Sequence, residues 1–110
     1  NLETLRHLGF KADRAVAVGG GTRSRVWMQI MADICGCELF IPEVTVGASY
    51  GDAMLAALGV GAVASRDELK QWVKEKEYIK PDLAVTEVYE GHFKFYRTLY
   101  EHNKHLMHQL

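Results

Sequence analysis

Residues 19 to 61 read GGGTRSRVWMQIMADICGCELFIPEVTVGASYGDAMLAALGVG, and this stretch decides the fold. The run Ala15 to Val18 just before it has four apolar residues that end in glycines, which is typical of a buried strand in a parallel sheet. Apolar residues at helical spacing follow, and Gly36 marks the end of that helix. Glu38 to Ile41 is the second predicted strand, stopped by Pro42. Two strands joined by a helix are expected to pair in parallel with a right-handed crossover.

Helical patterns flank the two strands. Leucines recur at near-helical spacing from residue 2 to residue 8, and Gly9 follows as a natural C-cap. This helix is expected to be under way already at Asn1, so the chain reads as a piece of a longer protein. A second apolar helix, expected over residues 48–58, is rich in small side chains. Because small side chains allow close packing, we expect this helix to be buried.

The last part of the chain is more polar. Ser65 and Glu68 resemble a capping box at the start of a polar helix, which is expected to run to about Glu75. A turn is predicted at Pro81. Residues 86–108 then predict one long helix with an apolar side.

The composition excludes several classes of protein. The chain has 110 residues, 48% of them apolar, and a formal net charge of −1, which suits one small domain. Balanced charge argues against a nucleic-acid binder and against a disordered tail. No apolar run is long enough to span a membrane. Cys35 and Cys37 are too close for an unstrained disulfide and too few for a zinc site, so reduced thiols and a cytoplasmic location are expected.

Three glycines stand where the first predicted strand ends. Gly19, Gly20 and Gly21 would let the backbone approach a ligand closely. The helix start that follows offers free N–H groups and a positive dipole end, which suit phosphate, and Arg23 and Arg25 could add charge. A tight turn without a ligand is the alternative. The Gly-Lys-Ser/Thr ending of a Walker A loop is absent, as is the dinucleotide-binding fingerprint.

The stretch from Gly19 to Gly61 resembles the C-terminal signature of the FGGY family of carbohydrate kinases. In that family a glycine loop leads into a helix with a Gln and an Ala-Asp pair, here Gln29 and residues 32–33. A Gly, a short strand and a Pro-Glu pair follow, here residues 36 to 43. A small-residue helix, here residues 51 to 61, completes the pattern.

This resemblance implies an α/β fold, as part of an actin-like (ribonuclease-H-like) ATPase domain with short parallel strands, packed helices and a long C-terminal helix. Residues 1–110 would be the C-terminal part of the second, nucleotide-binding domain. The whole protein would transfer the γ-phosphoryl group of ATP, with Mg²⁺, to a hydroxyl of a pentulose or related sugar, and xylulose is the expected acceptor. The open sheet edge and the long final helix also suggest a homo-oligomer, and no nucleic-acid or membrane partner is expected.

The resemblance also assigns nucleotide contacts to the glycine turn. Gly20 and Gly21 would lie against the adenosine and α-phosphate end of ATP, beside Gly19. Ser24 matches a position at which glycerol kinases have an Asn that contacts the nucleoside, and Arg25 would reach the ribose or a phosphate. The family's catalytic base is an Asp much earlier in the sequence, so this segment is expected to contain neither a catalytic residue nor a metal ligand. The isolated chain is expected to be inactive.

Two other functions remain open at this point. The chain could be a non-catalytic module that binds a nucleotide or a partner, or part of another actin-like ATPase such as a chaperone or a cell-shape protein. Gln29, Asp33 and the pair at residues 42–43 favour the sugar kinase.

Several further residues suggest sites, and a structural role is favoured for each. Asp52 stands where many family members have Ala, and a partly exposed or backbone-bound Asp is preferred to a catalytic or Mg²⁺-binding one. His102, His105 and His108 are three residues apart, and an exposed terminal helix is preferred to a metal site. Trp27 is expected in the core rather than stacked on adenine.

Overall fold

The computed structural model describes residues 2–109. Within them it has the strands β1 (Arg14–Val16), β2 (Glu38–Pro42) and β3 (Glu75–Ile79), and the helices α1 (Leu2–His7), α2 (Arg25–Cys35), α3 (Gly47–Gly59), α4 (Arg66–Lys70) and α5 (Leu83–Met107). They follow one another as α1–β1–α2–β2–α3–α4–β3–α5. The expectation of a helix already under way at Asn1 lies outside the described residues.

The central strand of the sheet is β2, in the order β1-β2-β3. It runs parallel to β1, with Ala15 opposite Leu39, as the intervening helix predicts. It runs antiparallel to β3, with Ile79 opposite the same Leu39. Strand β3 was not predicted, and the polar helix predicted to reach about Glu75 is shorter, because α4 ends at Lys70. Residues 71–74 form a turn instead, and pairing with β2 and burial of Ile79 give residues 75–79 a strand conformation.

The main core lies between α2 and one face of the sheet. Its buried members are Met28, Ala32, Cys37, Leu39, Ile41 and Ile79. Helix α5 packs against α2, and a Cβ added to Gly36 at the end of α2 would lie 3.2 Å from Cγ2 of Thr86 on α5. This arrangement fixes α2, whose first turn follows the glycine segment.

Three helix ends follow the signals predicted for them. Gly9 and Gly36 have φ values of 87° and 57°, in the left-handed region that favours glycine, and they follow α1 and α2. The hydroxyl of Ser65 accepts a hydrogen bond from the N–H of Glu68 at 3.4 Å. In return the carboxylate of Glu68 accepts from the N–H of Ala64, one residue earlier than the predicted capping box requires.

Two predictions of burial are wrong. In β1, Val16 is 60% exposed, and α3 contains no buried residue, with Leu55 at 68% exposure. The reason is that α2 covers one face of the sheet, the face of Leu39 and Ile41, whereas Val16 lies beside Phe40 on the other face. None of the helices within residues 2–109 combines the length and apolar character that a membrane span needs.

Candidate functional site

The segments that follow β1 and β2 lie against each other at the carboxyl ends of these two parallel strands. The N–H of Gly19 donates to the carbonyl oxygen of Thr45 at 2.6 Å. A Cβ added to Gly47 would lie 2.8 Å from Cγ2 of Val18, so the two segments are in close contact. In open α/β sheets, ligands bind beyond the carboxyl ends of the strands. This edge is therefore the candidate site.

The structural reason for a glycine differs among the three positions of the turn. Gly19 has a φ of 92°, which disfavours any side chain. A Cβ on Gly21 would lie 3.2 Å from Cδ1 of Trp27. Gly20 has neither constraint, because its φ is not positive and no atom of the described chain lies within 4 Å of an added Cβ. A ligand that approaches the backbone closely would explain why residue 20 is a glycine, which the described chain does not explain.

A single 3₁₀ turn, Gly20–Arg23, separates the glycines from α2 and was not predicted. The hydroxyl of Thr22 donates to the carbonyl oxygen of Gly19 at 2.7 Å and holds this turn. Ser24 is the N-cap of α2, since its hydroxyl oxygen accepts from the N–H of Trp27 at 3.2 Å. The hydroxyl of Ser24, which is predicted to contact the nucleoside, therefore already accepts a hydrogen bond within its own helix.

Arg25, in the first turn of α2, forms an ion pair with Glu77 on β3. The Arg25 side chain is 75% exposed and that of Glu77 is 34% exposed, so the pair is near the surface. To reach a ribose or a phosphate, as predicted, Arg25 would have to leave Glu77. The neighbouring Arg23 is exposed at the end of the 3₁₀ turn.

Trp27 does not lie in the core, and that prediction was wrong. Its side chain is 51% exposed, and its indole ring lies against Gly21. Helical side chains lean toward the N-terminus of their helix, so Trp27 in the first turn of α2 points back to the glycine turn. Met28, the next residue, takes the core position instead.

The remaining candidate residues lie elsewhere. Asp52 is exposed on α3. His102, His105 and His108 are exposed at the end of the chain, and Nδ1 of His102 lies 2.8 Å from the carbonyl oxygen of Thr98. In the described range 2–109, no three His, Cys, Asp or Glu side chains come together in a way that could hold a metal ion.

The surface has two hollows of note, and only the smaller one borders this edge. An apolar hollow of about 160 Å³ lies beside the two loops and is lined in part by Val18, Gly47 and Tyr50. A larger groove of about 870 Å³ lies between α1 and α5 and includes none of the glycine-turn residues. Backbone geometry, rather than the size of a hollow, therefore identifies the candidate site.

Sequence reasoning missed two residues of this site. Glu77 was missed because it belongs to the unpredicted strand β3, and the charged run around residue 75 gives no signal for that strand. Thr45 was missed because it contributes a backbone carbonyl, which any residue could supply.

Comparison with known proteins places this geometry in a family. Residues 1–60 match the family model for the C-terminal domain of the FGGY family of carbohydrate kinases. A xylulose kinase of Bacillus subtilis (strain 168) is 32% identical over 107 residues, which cover 96% of this chain and 21% of the relative. An autoinducer-2 kinase of Salmonella paratyphi B (strain ATCC BAA-1250 / SPB7) is 31% identical over 103 residues, or 90% of this chain and 19% of the relative.

A solved structure gives the same result. The crystal structure of xylulose kinase from Rhodospirillum rubrum superposes with a TM-score of 0.76 at 34% identity, covering 97% of this chain and 22% of that one. The chain thus spans about a fifth of the length of the relatives that it matches. The likeness confirms the predicted fold class, an α/β part of an actin-like ATPase domain with a long C-terminal helix.

Proposed function

The chain belongs to the FGGY family of carbohydrate kinases, and we propose that its glycine turn forms the adenosine-side wall of an ATP site. One observation carries this proposal: Gly20 lies at the carboxyl ends of β1 and β2, between two glycines that the chain constrains, yet its own Cβ position is open and its φ is one that other residues tolerate. A nucleotide lying on the backbone at Gly20 would explain why glycine stands there.

Each residue of the turn has a proposed part. Gly19, Gly20 and Gly21 lie against the adenosine and α-phosphate end of ATP. The hydroxyl of Ser24 accepts from its own helix, so its hydrogen is left to donate to the nucleoside. Arg25 breaks its ion pair with Glu77 and then contacts the ribose or a phosphate. The N-terminus of α2 adds a positive dipole end on the same side.

The reaction that we propose for the whole protein is transfer of the γ-phosphoryl group of ATP to a hydroxyl of a pentulose or related sugar. The xylulose kinases of B. subtilis and R. rubrum favour xylulose as the acceptor, whereas the autoinducer-2 kinase of S. paratyphi B keeps the choice of acceptor open. Residues 1–110 are proposed to be the C-terminal part of the second, nucleotide-binding domain. Homo-oligomer formation stays a prediction.

The contribution of this chain is positioning. Phosphoryl transfer depends mainly on holding ATP and acceptor in line, and a rigid wall at the adenosine end serves that purpose. Mg²⁺ accompanies ATP in such reactions and neutralises phosphate charge. The residues described here do not fit a Mg²⁺ site, since no cluster of three potential ligands forms among residues 2–109. We therefore assign no step to the metal.

Titration of ADP into the chain, followed by calorimetry, tests this proposal. Gly20→Val places a branched side chain where the nucleotide would lie, and we expect affinity to fall at least about tenfold, or about 1.4 kcal/mol. Gly91→Val is the matched control, because Gly91 also has open space around it but lies on α5. Equal binding by the Gly20→Val variant, or no binding by the unaltered chain, would refute the proposal.

A further inference from the structure

The indole ring of Trp27 is in direct contact with the glycine turn. A Cβ on Gly21 would lie 3.2 Å from Cδ1 and 3.3 Å from Nε1 of Trp27, closer than ordinary van der Waals contact. Cε of Met28 would lie 3.7 Å away, at ordinary contact distance. Gly21 is therefore a glycine mainly because the indole occupies the space of its side chain.

The position of the indole is set by the start of α2. The hydroxyl oxygen of Ser24 accepts from the N–H of Trp27 at 3.2 Å. The backbone carbonyl oxygen of Ser24 accepts from the N–H of Met28 at 3.0 Å. With this backbone fixed, the Trp27 side chain leans toward the helix N-terminus and meets Gly21. The ring is half exposed and is not part of the core between α2 and the sheet. The indole ring therefore packs against the glycine turn and not against the core.

The two ends of the glycine segment are held by different partners. Gly19 donates its N–H to the carbonyl oxygen of Thr45 at 2.6 Å, and Gly21 rests on Trp27. Gly20 lies between them, and a Cβ added to it would meet no atom of either partner within 4 Å. The held ends present the backbone of Gly20 in one position.

We propose that Trp27 is a positioning residue that acts through Gly21 to hold the backbone of Gly20 where a nucleotide meets it. This inference rests on the proposed function for its purpose, but the mechanical part stands on the contact alone. Trp27 holds the turn and α2 together as one unit, so that a ligand finds the wall already formed.

Amide hydrogen exchange tests the mechanical part without any nucleotide. The N–H groups of Thr22 and Ser24 donate within the turn, to Gly19 and Gly21 at 3.2 and 3.1 Å. We expect Trp27→Leu to speed exchange at both amides by about tenfold, since local opening becomes easier.

Two further variants control this measurement. In Trp27→Phe a flat ring still reaches Gly21, so we expect exchange to stay within about threefold of the unaltered chain. Trp72→Leu removes the other tryptophan, which lies outside the turn, and exchange at Thr22 and Ser24 should not change. Unchanged exchange in Trp27→Leu would overturn the proposal.

A double-mutant cycle tests the route through Gly21. Gly21→Ala alone forces its Cβ against the indole, and we expect ADP affinity to fall on the order of fivefold. In the Trp27→Leu background the ring is gone, so adding Gly21→Ala should cause no further loss. Additive losses would show that Trp27 does not act through Gly21.

The two proposals fail in different ways. If no variant binds ADP but exchange at Thr22 and Ser24 responds to Trp27→Leu, the proposed function is wrong and the role of Trp27 stands. If ADP binds and Gly20→Val abolishes binding, but Trp27→Leu changes neither exchange nor affinity, the function stands and the role of Trp27 is wrong.

Discussion

The carboxylate of Asp33 accepts a hydrogen bond from the backbone N–H of Asp82, 49 residues later in the chain, with 2.8 Å between Oδ1 and N. The same oxygen accepts from Nε2 of Gln29 at 2.9 Å, and Gln29 also donates to the carbonyl oxygen of Lys80 at 2.9 Å. Asp33 is only 5% exposed. The Gln and Asp of the family signature therefore tie α2 to the turn that precedes α5.

Loss of the Asp33 carboxylate should destabilise the fold. Asp33→Ala leaves the N–H of Asp82 without its acceptor and removes one of the two acceptors of the Gln29 amide, and we expect a loss of about 2 kcal/mol in the free energy of unfolding. Urea unfolding followed by circular dichroism measures it. Asp52→Ala is the control, since Asp52 is exposed on α3 and its loss should stay within about 0.5 kcal/mol. Similar losses in the two variants would contradict the role of Asp33.

Release of Arg25 should strengthen phosphate binding. Glu77→Gln removes the carboxylate that now pairs with Arg25, which leaves the guanidinium available to a nucleotide. Because the pair is near the surface, it contributes on the order of 1 kcal/mol or less. We therefore expect ADP affinity to rise about two- to fivefold in Glu77→Gln. Adenosine, which lacks phosphate, should bind to Glu77→Gln and to the unaltered chain equally. A weaker affinity for ADP would indicate that the pair holds α2 in place instead.

Glycines of the same helix should respond oppositely to alanine. Gly47→Ala drives a Cβ to 2.8 Å from Cγ2 of Val18, and we expect a destabilisation of about 1 kcal/mol, relieved by Val18→Ala. Gly51→Ala meets no atom within 4 Å on the same α3 and should stabilise the chain by about 0.5 kcal/mol, because alanine favours helix. Thermal unfolding of both variants gives the comparison, and a shift of the same sign in both would be inconsistent with the loop contact.

The Cys37 thiol should make stability fall at alkaline pH. Burial raises its pKa above the ordinary value of 9.0, and the neighbouring Cys35 adds to the rise. The folded state then holds the proton more tightly than the unfolded state, so this stabilisation is complete below pH 9.0 and is lost as pH rises through the folded pKa. Cys37→Ala should show a shallower decline than Cys35→Ala in urea unfolding above pH 9.0. Parallel declines would exclude Cys37 as the cause.

The isolated chain should not phosphorylate a sugar. It is proposed to supply only nucleotide contacts, and it spans about a fifth of the length of its relatives. A coupled assay for ADP release with xylulose and Mg-ATP should give no rate above that of a blank. Turnover that depends on Gly20 would mean that the chain carries a complete site.

Features that depend on neighbouring residues could be predicted from the sequence. The left-handed caps at Gly9 and Gly36 follow from glycine after a helical pattern, and the N-cap at Ser65 follows from a Ser with a Glu three residues later. The parallel pairing of β1 with β2 follows from a helix between two short apolar runs. For the same local reason the glycine turn could be recognised as a candidate site.

Features that depend on distant residues could not. Strand β3 exists because Ile79 is buried beside Leu39, a pairing with no signal in the charged run around residue 75. Trp27 was assigned to the core by its helical register, but a first-turn side chain that leans backward leaves the sheet and meets Gly21 instead. The exposure of α3 is likewise not encoded in its small-residue composition.

The edges of the sheet bear on how the chain behaves at high concentration. Within residues 2–109, β1 and β3 are the edge strands, and exposed edges can seed fibrils by pairing with other chains. However, β1 is only three residues long, and β3 begins with the alternating charges Glu75, Lys76 and Glu77. Short length and like-charge repulsion between stacked copies make both strands poor templates for amyloid growth. If copies of this chain associate, we expect them to meet through helix surfaces rather than by extending the sheet.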